Sequence, residues 1–246
     1  MNMQIDTGPE DAVQEIPEGV RKAYRNETFV YFDIETIPCQ SPEYLEKLLA
    51  EVKPPATHKK PETIAAWMAE NRESAAADAL AKTSFDGGRG HICTIAWAVN
   101  DAAPVVAHAK TLDDEAKVMS AFFEALDPFH SQTLVGHNIA RFDLRFLRQR
   151  AIVLGVKMPS RTTLPRDPKP WDKTIFDTMS AWAGGSDTVS LDNLCAALGI
   201  PGKDGFEGSQ VAAAWAAGEH DRIADYCADD VLRTRAVHQR FLMAEF

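Results

Sequence analysis

Residues 28–37, Thr28-Phe-Val-Tyr-Phe-Asp33-Ile-Glu35-Thr-Ile37, form the most strand-like apolar run of the chain and carry two carboxylates inside it. Side chains alternate across a strand, so Asp33 and Glu35, two apart, project from one face and can share a ligand. A run this apolar belongs in the middle of a sheet, covered on both sides. Two ionised groups placed there repel each other and lose hydration. Either a cation neutralises them or the strand opens into solvent at that point, and the run alone leaves both readings open.

Working outward, residues 41–89 read as a helical insertion. One helix spans about Pro42 to Val52 and a second Pro61 to Lys82, with the Pro-rich 53–60 linker between them. Pro61 suits a first helical position, and Ile64, Met68, Ala75 and Ala79 share one side, a stripe that either packs on the domain or lines a lid. Gly87-Gly88-Arg89-Gly90 breaks the helix as a turn before a strand at His91 to Val99, which pairs as a hairpin with Val105 to Ala109. A helix over Asp113 to Leu126, a strand at Thr133 to His137, a helix at Ala140 to Leu154 and a short strand at Thr174 to Asp177 follow. After it come helices ending at Gly184, spanning Ser190 to Gly199 and Ser209 to Gly218, and a long one from His220 to Met243. This order predicts an α/β domain with a mixed five-stranded sheet and helices on both faces. Residues 1–25, polar and without periodicity, read as a flexible tail, and 26–246 as one domain.

With 246 residues and a net charge of −10, the chain is a poor candidate for coating nucleic acid indiscriminately, although it could still grip one phosphate through metal ions. The charge is uneven: Arg141 to Lys173 holds nine basic and three acidic residues, a local +6. No stretch approaches the roughly 20 apolar residues of a membrane span, and the N-terminus lacks a signal-peptide pattern, so an intracellular (cytoplasmic) protein with no membrane partner is the expectation. Cys39, Cys93, Cys195 and Cys227 lack metal-binding or disulfide spacing and read as small buried hydrophobes.

Three further acids could reach the first pair. Asp143 lies near a helix N-terminus, in phase with Leu147 and Leu154 on the side that packs against the sheet, while Arg141, Arg145 and Arg148 share the opposite, solvated side. On the last helix Tyr226 and Asp230 are neighbours four apart, on a stripe with Ile223, Val237 and Phe241 that faces the core. A buried Asp needs a counter-charge, or the pair forms only a local hydrogen bond. Asp177 reads as a helix cap that could touch the site, and Asn138 as either a cap or a substrate contact. Clustered carboxylates with no accompanying histidine or cysteine favour hard ions such as Mg²⁺ or Mn²⁺.

The segments FDIET (Phe32 to Thr36), NIARFD (Asn138 to Asp143) and YCADD (Tyr226 to Asp230) together resemble the three motifs of the DEDD 3'-5' exonucleases, which have a ribonuclease-H-like (DnaQ-like) fold. The Tyr226-x-x-x-Asp230 spacing is similar to the tyrosine branch. The histidine branch would place His at 225, where this chain has Asp225. The resemblance runs from about Phe29 to Phe241. Within it, SLDNLCAALGIPGKDGFEGSQV (190–211) is similar to small stand-alone proteins related to the proofreading exonuclease domain of family-B DNA polymerases. The insertion at 41–89 is larger than a minimal proofreading domain carries. The resemblance implies a metal-dependent exonuclease that releases nucleoside 5'-monophosphates from 3' ends, preferably of single-stranded DNA, with a polymerase or a replication or repair complex as partner. It further implies two Mg²⁺ or Mn²⁺ ions. Asp33 would bridge both, Glu35 and Asp230 complete the first site, and Asp143 hold the second. Tyr226 would orient the attacking water, and the backbone around Thr36, with Asn138 and Phe142, would contact the terminal nucleotide. An RNA-trimming exoribonuclease and a non-catalytic nucleic-acid- or polymerase-binding subunit are the competing expectations.

Overall fold

The computed structural model describes residues 17–128, 131–160, 163–168, 172–202 and 205–245. The apolar run forms strand β1 (Thr28–Ile37), paired antiparallel with β2 (His91–Val99) and parallel with β4 (Gln132–Gly136). Strands β3 (Val105–His108) and β5 (Ile175–Asp177) extend the two edges, giving the order β3-β2-β1-β4-β5. The mixed five-stranded sheet expected from the sequence is therefore present.

Strand alternation decides what each layer covers. Val30, Phe32 and Ile34 point to the face packed by α4 (Glu115–Leu126) and α5 (Asp143–Leu154), in a cluster with Phe122, Phe146 and Leu147. Phe29 and Tyr31 point the other way, against Cys227 and Val231 of the long helix α9 (His220–Glu245). Asp33 and Glu35 continue this second row, so both acids project beneath α9. The pairing of β1 with β4 stops at Tyr31 and Val135, which leaves that edge of β1 open alongside the two acids. A register shift between Glu35 and Thr36 ends the regular alternation just past them.

Between β1 and β2, α2 (Pro42–Glu51) and α3 (Pro61–Ala81) form a hairpin. Ser41 Oγ caps α2 by accepting from Tyr44 N, and Arg72 Nε donates to Leu49 O across the pair. The stripe Ile64, Met68, Ala75 and Ala79 is only partly covered, and Ala76 is the one α3 residue in the core. The base of the hairpin is tied down: Thr36 Oγ1 donates to Ser84 O (2.8 Å) and Cys39 N to Thr83 Oγ1 (2.8 Å), within the 3-10 turn Lys82–Phe85. At Gly90 a Cβ would stand 2.4 Å from Thr83 O and 2.9 Å from Ile37 O, so only glycine lets the returning chain pass this close.

The remaining helices are α6 (Thr178–Ala183), α7 (Leu191–Leu198) and α8 (Val211–Ala216). As expected, Ser190 caps α7, and Gly199 ends it in the left-handed conformation (φ 66°). All four cysteines are buried and free.

Three expectations are corrected. The stretch read as a tail to residue 25 contains helix α1 (Glu18–Ala23), anchored by the buried Val20; residues 1–16 lie outside those described. The helix expected from Ala140 starts only at Asp143, because Asp177 takes the backbone N–H groups of Asn138 and Ala140 and holds that segment as a turn. Leu154, expected to face inward, is exposed on the last turn before Gly155, as are Ile152 and Val153.

One buried base on α9 carries a pH dependence. His238 packs edge-on against Phe29 (4.8 Å) and against Phe176 (4.5 Å), with Tyr31 Oη 3.0 Å from its Nδ1. Burial pushes its pKa down to about 4. The unfolded chain takes up the proton near 6.5, so stability is full above that pH and falls as the pH drops towards 4, by about 3 kcal/mol at 1.36 kcal/mol per unit. Urea titrations across this range should show that loss, and a smaller one in His238→Gln. Equal slopes in both proteins would contradict it.

Candidate active site

The four acids arrive from three elements. Asp33 and Glu35 stand on β1, Asp143 is the first residue of α5, and Asp230 lies at mid-length on α9. Glu35, Asp143 and Asp230 are buried, whereas Asp33 keeps a solvent-reachable edge. Burial raises the Asp33 carboxyl well above the usual range, and the charges of Glu35, Asp143 and Asp230 raise it further. All three of its acidic companions are thus close enough to repel it. Burial, with a contribution from Asp177, pushes Asp143 up to about 7, while backbone N–H groups of Asp143 itself and Ile34 pull the other way. Ile34 can offer its amide because β4 no longer pairs there. Asp143 Oδ1 is buried with no hydrogen-bond partner.

Cys227 is a site residue that the sequence did not announce. Its thiol donates to Asp33 O (3.4 Å) and Asp33 Oδ2 (3.5 Å), and the ligand atoms of Asp33, Glu35 and Cys227 lie within 4.8 Å of one another. Burial and the neighbouring acids raise its pKa strongly, so it stays a thiol and offers no soft thiolate at neutral pH. Arg233 was also missed. It supplies the counter-charge that a buried Asp230 requires, with Nη1 at 3.3 Å from Asp230 Oδ1 and Nη2 at 2.5 Å from Asp192 Oδ1. Its spacing of three from Asp230 on one helix was the available signal.

Tyr226 sits one turn before Asp230, half-buried, with its ring 4.9 Å from Phe206. Burial raises its pKa strongly, and the charges of Asp230, Glu35 and Asp33, together with a hydrogen bond to Asp230, add to that. The hydroxyl therefore keeps its proton.

Asn138 adopts a left-handed backbone (φ 65°), and its Oδ1 is buried without a partner. Asp177 acts as the expected cap, accepting from Met179 N and Ser180 N, and the same carboxylate fixes the turn that carries Asn138. Asn138 and Phe142 line a groove of about 600 Å³, together with Phe85, Arg141, Arg145 and residues 188–190. The Thr36 hydroxyl donates to Ser84 O, which leaves its backbone as the part that could face a ligand. Arg141 and Arg145 are exposed as expected, whereas Arg148 is half-buried and donates to Arg166 O.

The donor set fits hard divalent cations. The carboxylates of Asp33 and Glu35 supply oxygen donors close together, Asp143 adds a buried carboxylate oxygen with no partner, and burial and nearby acids keep the Cys227 and Cys93 thiols protonated. Among the described residues no helix is long and apolar enough to cross a membrane.

No curated protein matches the chain. Among solved structures, the family B DNA polymerase from the hyperthermophilic archaeon Pyrobaculum calidifontis aligns with 88% of this chain at a TM-score of 0.56 and 18% identity. The chain spans 24% of that polymerase's length, and the likeness is one of fold, the ribonuclease-H-like fold of such exonuclease domains. A family model covers residues 90–245, which include β2 through α9 and with them Asp143, Tyr226 and Asp230. The chain belongs to the family of predicted 3'-5' exonucleases related to the exonuclease domain of PolB.

Proposed function

We propose that the protein is a metal-dependent 3'-5' exonuclease that removes nucleoside 5'-monophosphates from single-stranded DNA ends. The observation that carries this reading is that Glu35, Asp143 and Asp230, from three separate elements, all lie near enough to Asp33 to raise its pKa, an arrangement that costs folding energy and serves no packing purpose. Asp33, Glu35 and Asp230 would hold one Mg²⁺ or Mn²⁺, and Asp143, through its unpartnered Oδ1, a second that shares Asp33. When bound, such ions neutralise charge on the phosphoryl oxygens and lower the pKa of an attacking water.

The chain's own groups do the positioning. Tyr226 acts as a hydrogen-bond donor that orients water and is not a base, because its surroundings hold the proton on it at neutral pH. Arg233 keeps the Asp230 carboxylate in one orientation. Asn138, locked by Asp177, presents its side-chain amide to the terminal nucleotide, and Phe142 offers a face for its base. Thr36 contributes through its backbone. An acidic chain with few phosphate contacts favours one strand end over long duplex. A polymerase or repair complex that presents frayed ends is the partner this reading implies.

A 5'-labelled single-stranded DNA incubated with Mg²⁺ should shorten stepwise from its 3' end, faster than matched duplex and faster than RNA of the same sequence. EDTA should stop the reaction. No shortening with Mg²⁺ or Mn²⁺ would refute the nuclease reading, and a faster reaction on RNA would transfer it to the exoribonuclease class.

A further inference from the structure

Resting on the nuclease reading above, we infer that Phe85, carried by the insertion, and Arg145 of α5 form a second subsite that grips the nucleotide upstream of the scissile bond. The groove lined by Asn138 and Phe142 also takes in these two residues; Phe142 immediately precedes Asp143, and Ser84, next to Phe85, is held by Thr36, next to Glu35. Phe85 is 64% exposed, a large apolar ring left in water. Its ring stands edge-on to Phe142, with centroids 6.1 Å apart. Such an exposed ring beside a half-buried one offers a nucleobase a stacking surface whatever its identity.

Phe85 is also held in place. Thr36 Oγ1 grips Ser84 O, and Arg145 Nη2 donates to Phe85 O itself at 3.2 Å. The backbone that carries the ring is therefore tied to the strand that bears Asp33 and Glu35, so little main-chain freedom is lost on binding. Charge completes the match. Arg141 and Arg145 line the same groove, both are exposed, and neither pairs with a carboxylate among the described residues. Their guanidinium groups suit a polyanion, and both belong to the 141–173 stretch, which is locally basic within an acidic chain. The occupant is the single-stranded tail of the DNA, entering with an aromatic contact to a base and cationic contacts to its phosphates. The insertion thereby makes the enzyme read more than its last nucleotide.

The test compares kcat/KM on a single-stranded oligonucleotide with kcat/KM on the p-nitrophenyl ester of thymidine 5'-monophosphate, which has no upstream nucleotide. In Phe85→Ala the ratio of the two should fall about tenfold, as loss of one stacked base predicts. Phe85→Trp should restore it, and in Arg145→Gln the salt dependence on the oligonucleotide should weaken by about one phosphate contact. Because Phe85 is exposed, thermal melting should be nearly unchanged in the alanine variant. A wild-type protein that cleaves both substrates while Phe85→Ala keeps the same ratio overturns this subsite and leaves the nuclease reading standing. A wild-type protein silent on both substrates overturns the nuclease reading and the subsite with it.

Discussion

Asp33→Asn is expected to slow Mg²⁺-dependent removal of the 3'-terminal nucleotide on the order of a thousand-fold, because metal-supplied charge neutralisation is worth several kcal/mol and each 1.36 kcal/mol is tenfold. The same substitution should raise the melting temperature of the metal-free protein by several degrees. Asp33 faces three carboxylates in a buried setting, so its charge opposes folding, and a neutral amide of equal shape relieves that. Mg²⁺ should raise the wild-type melting temperature by mass action and have little effect on the variant. Differential scanning fluorimetry with and without the ion, beside the nuclease assay, reads all three results. A variant that retains about a tenth of the activity, or that melts earlier than wild type, would remove Asp33 from the centre of the site.

The largest effect on stability should come from an ion-pair cluster that holds none of the four site acids. Glu115 is buried and accepts from Arg150 Nε and Nη2 (both 2.7 Å) and from Ile92 N (2.8 Å), with His91 Nδ1 at 3.0 Å. Burial alone would raise its pKa, but the hydrogen bonds of His91, Arg150 and Ile92 outweigh that and hold it low. Arg150 also donates to Gly87 O, so the cluster joins α4, α5, the start of β2 and the turn that closes the insertion. Arg150→Met leaves Glu115 buried without its guanidinium counter-charge and should cost about 3–5 kcal/mol in urea denaturation. The double substitution Glu115→Met, Arg150→Met should recover much of that loss, since an apolar pair of similar volume needs no counter-charge. A cost under about 1 kcal/mol for the single variant, or no recovery in the double, would contradict this account.

Much of the site was legible because it follows from periodicity. Asp33 and Glu35 share a face by strand alternation, Asp143 is inward by helical phase, and Tyr226 and Asp230 share a stripe; each of these inferences needs only local geometry. What stayed hidden depends on which distant element arrives. Cys227 read as a small buried hydrophobe, and only the packing of α9 over β1 sets its thiol on Asp33. Glu115 and Arg150 lie 35 positions apart, and nothing along the chain indicates that they meet. The late start of α5 was equally invisible, because Asp177, 34 positions after Asp143, takes the amides that would have begun the helix. Asp177 was read as a cap, and that reading was right but incomplete.

The hairpin of α2 and α3 behaves as a cantilever. It is clamped at its root through Thr36, Cys39 and Gly90, while α2 places no residue in the core and α3 places only Ala76. Its outer end, around the 53–60 linker, can therefore be lengthened, shortened or grafted with foreign sequence while the root keeps its alignment with the carboxylates. Evolution and engineers share the same freedom there: new recognition surfaces can be tried on the arm without re-solving the chemistry beneath it.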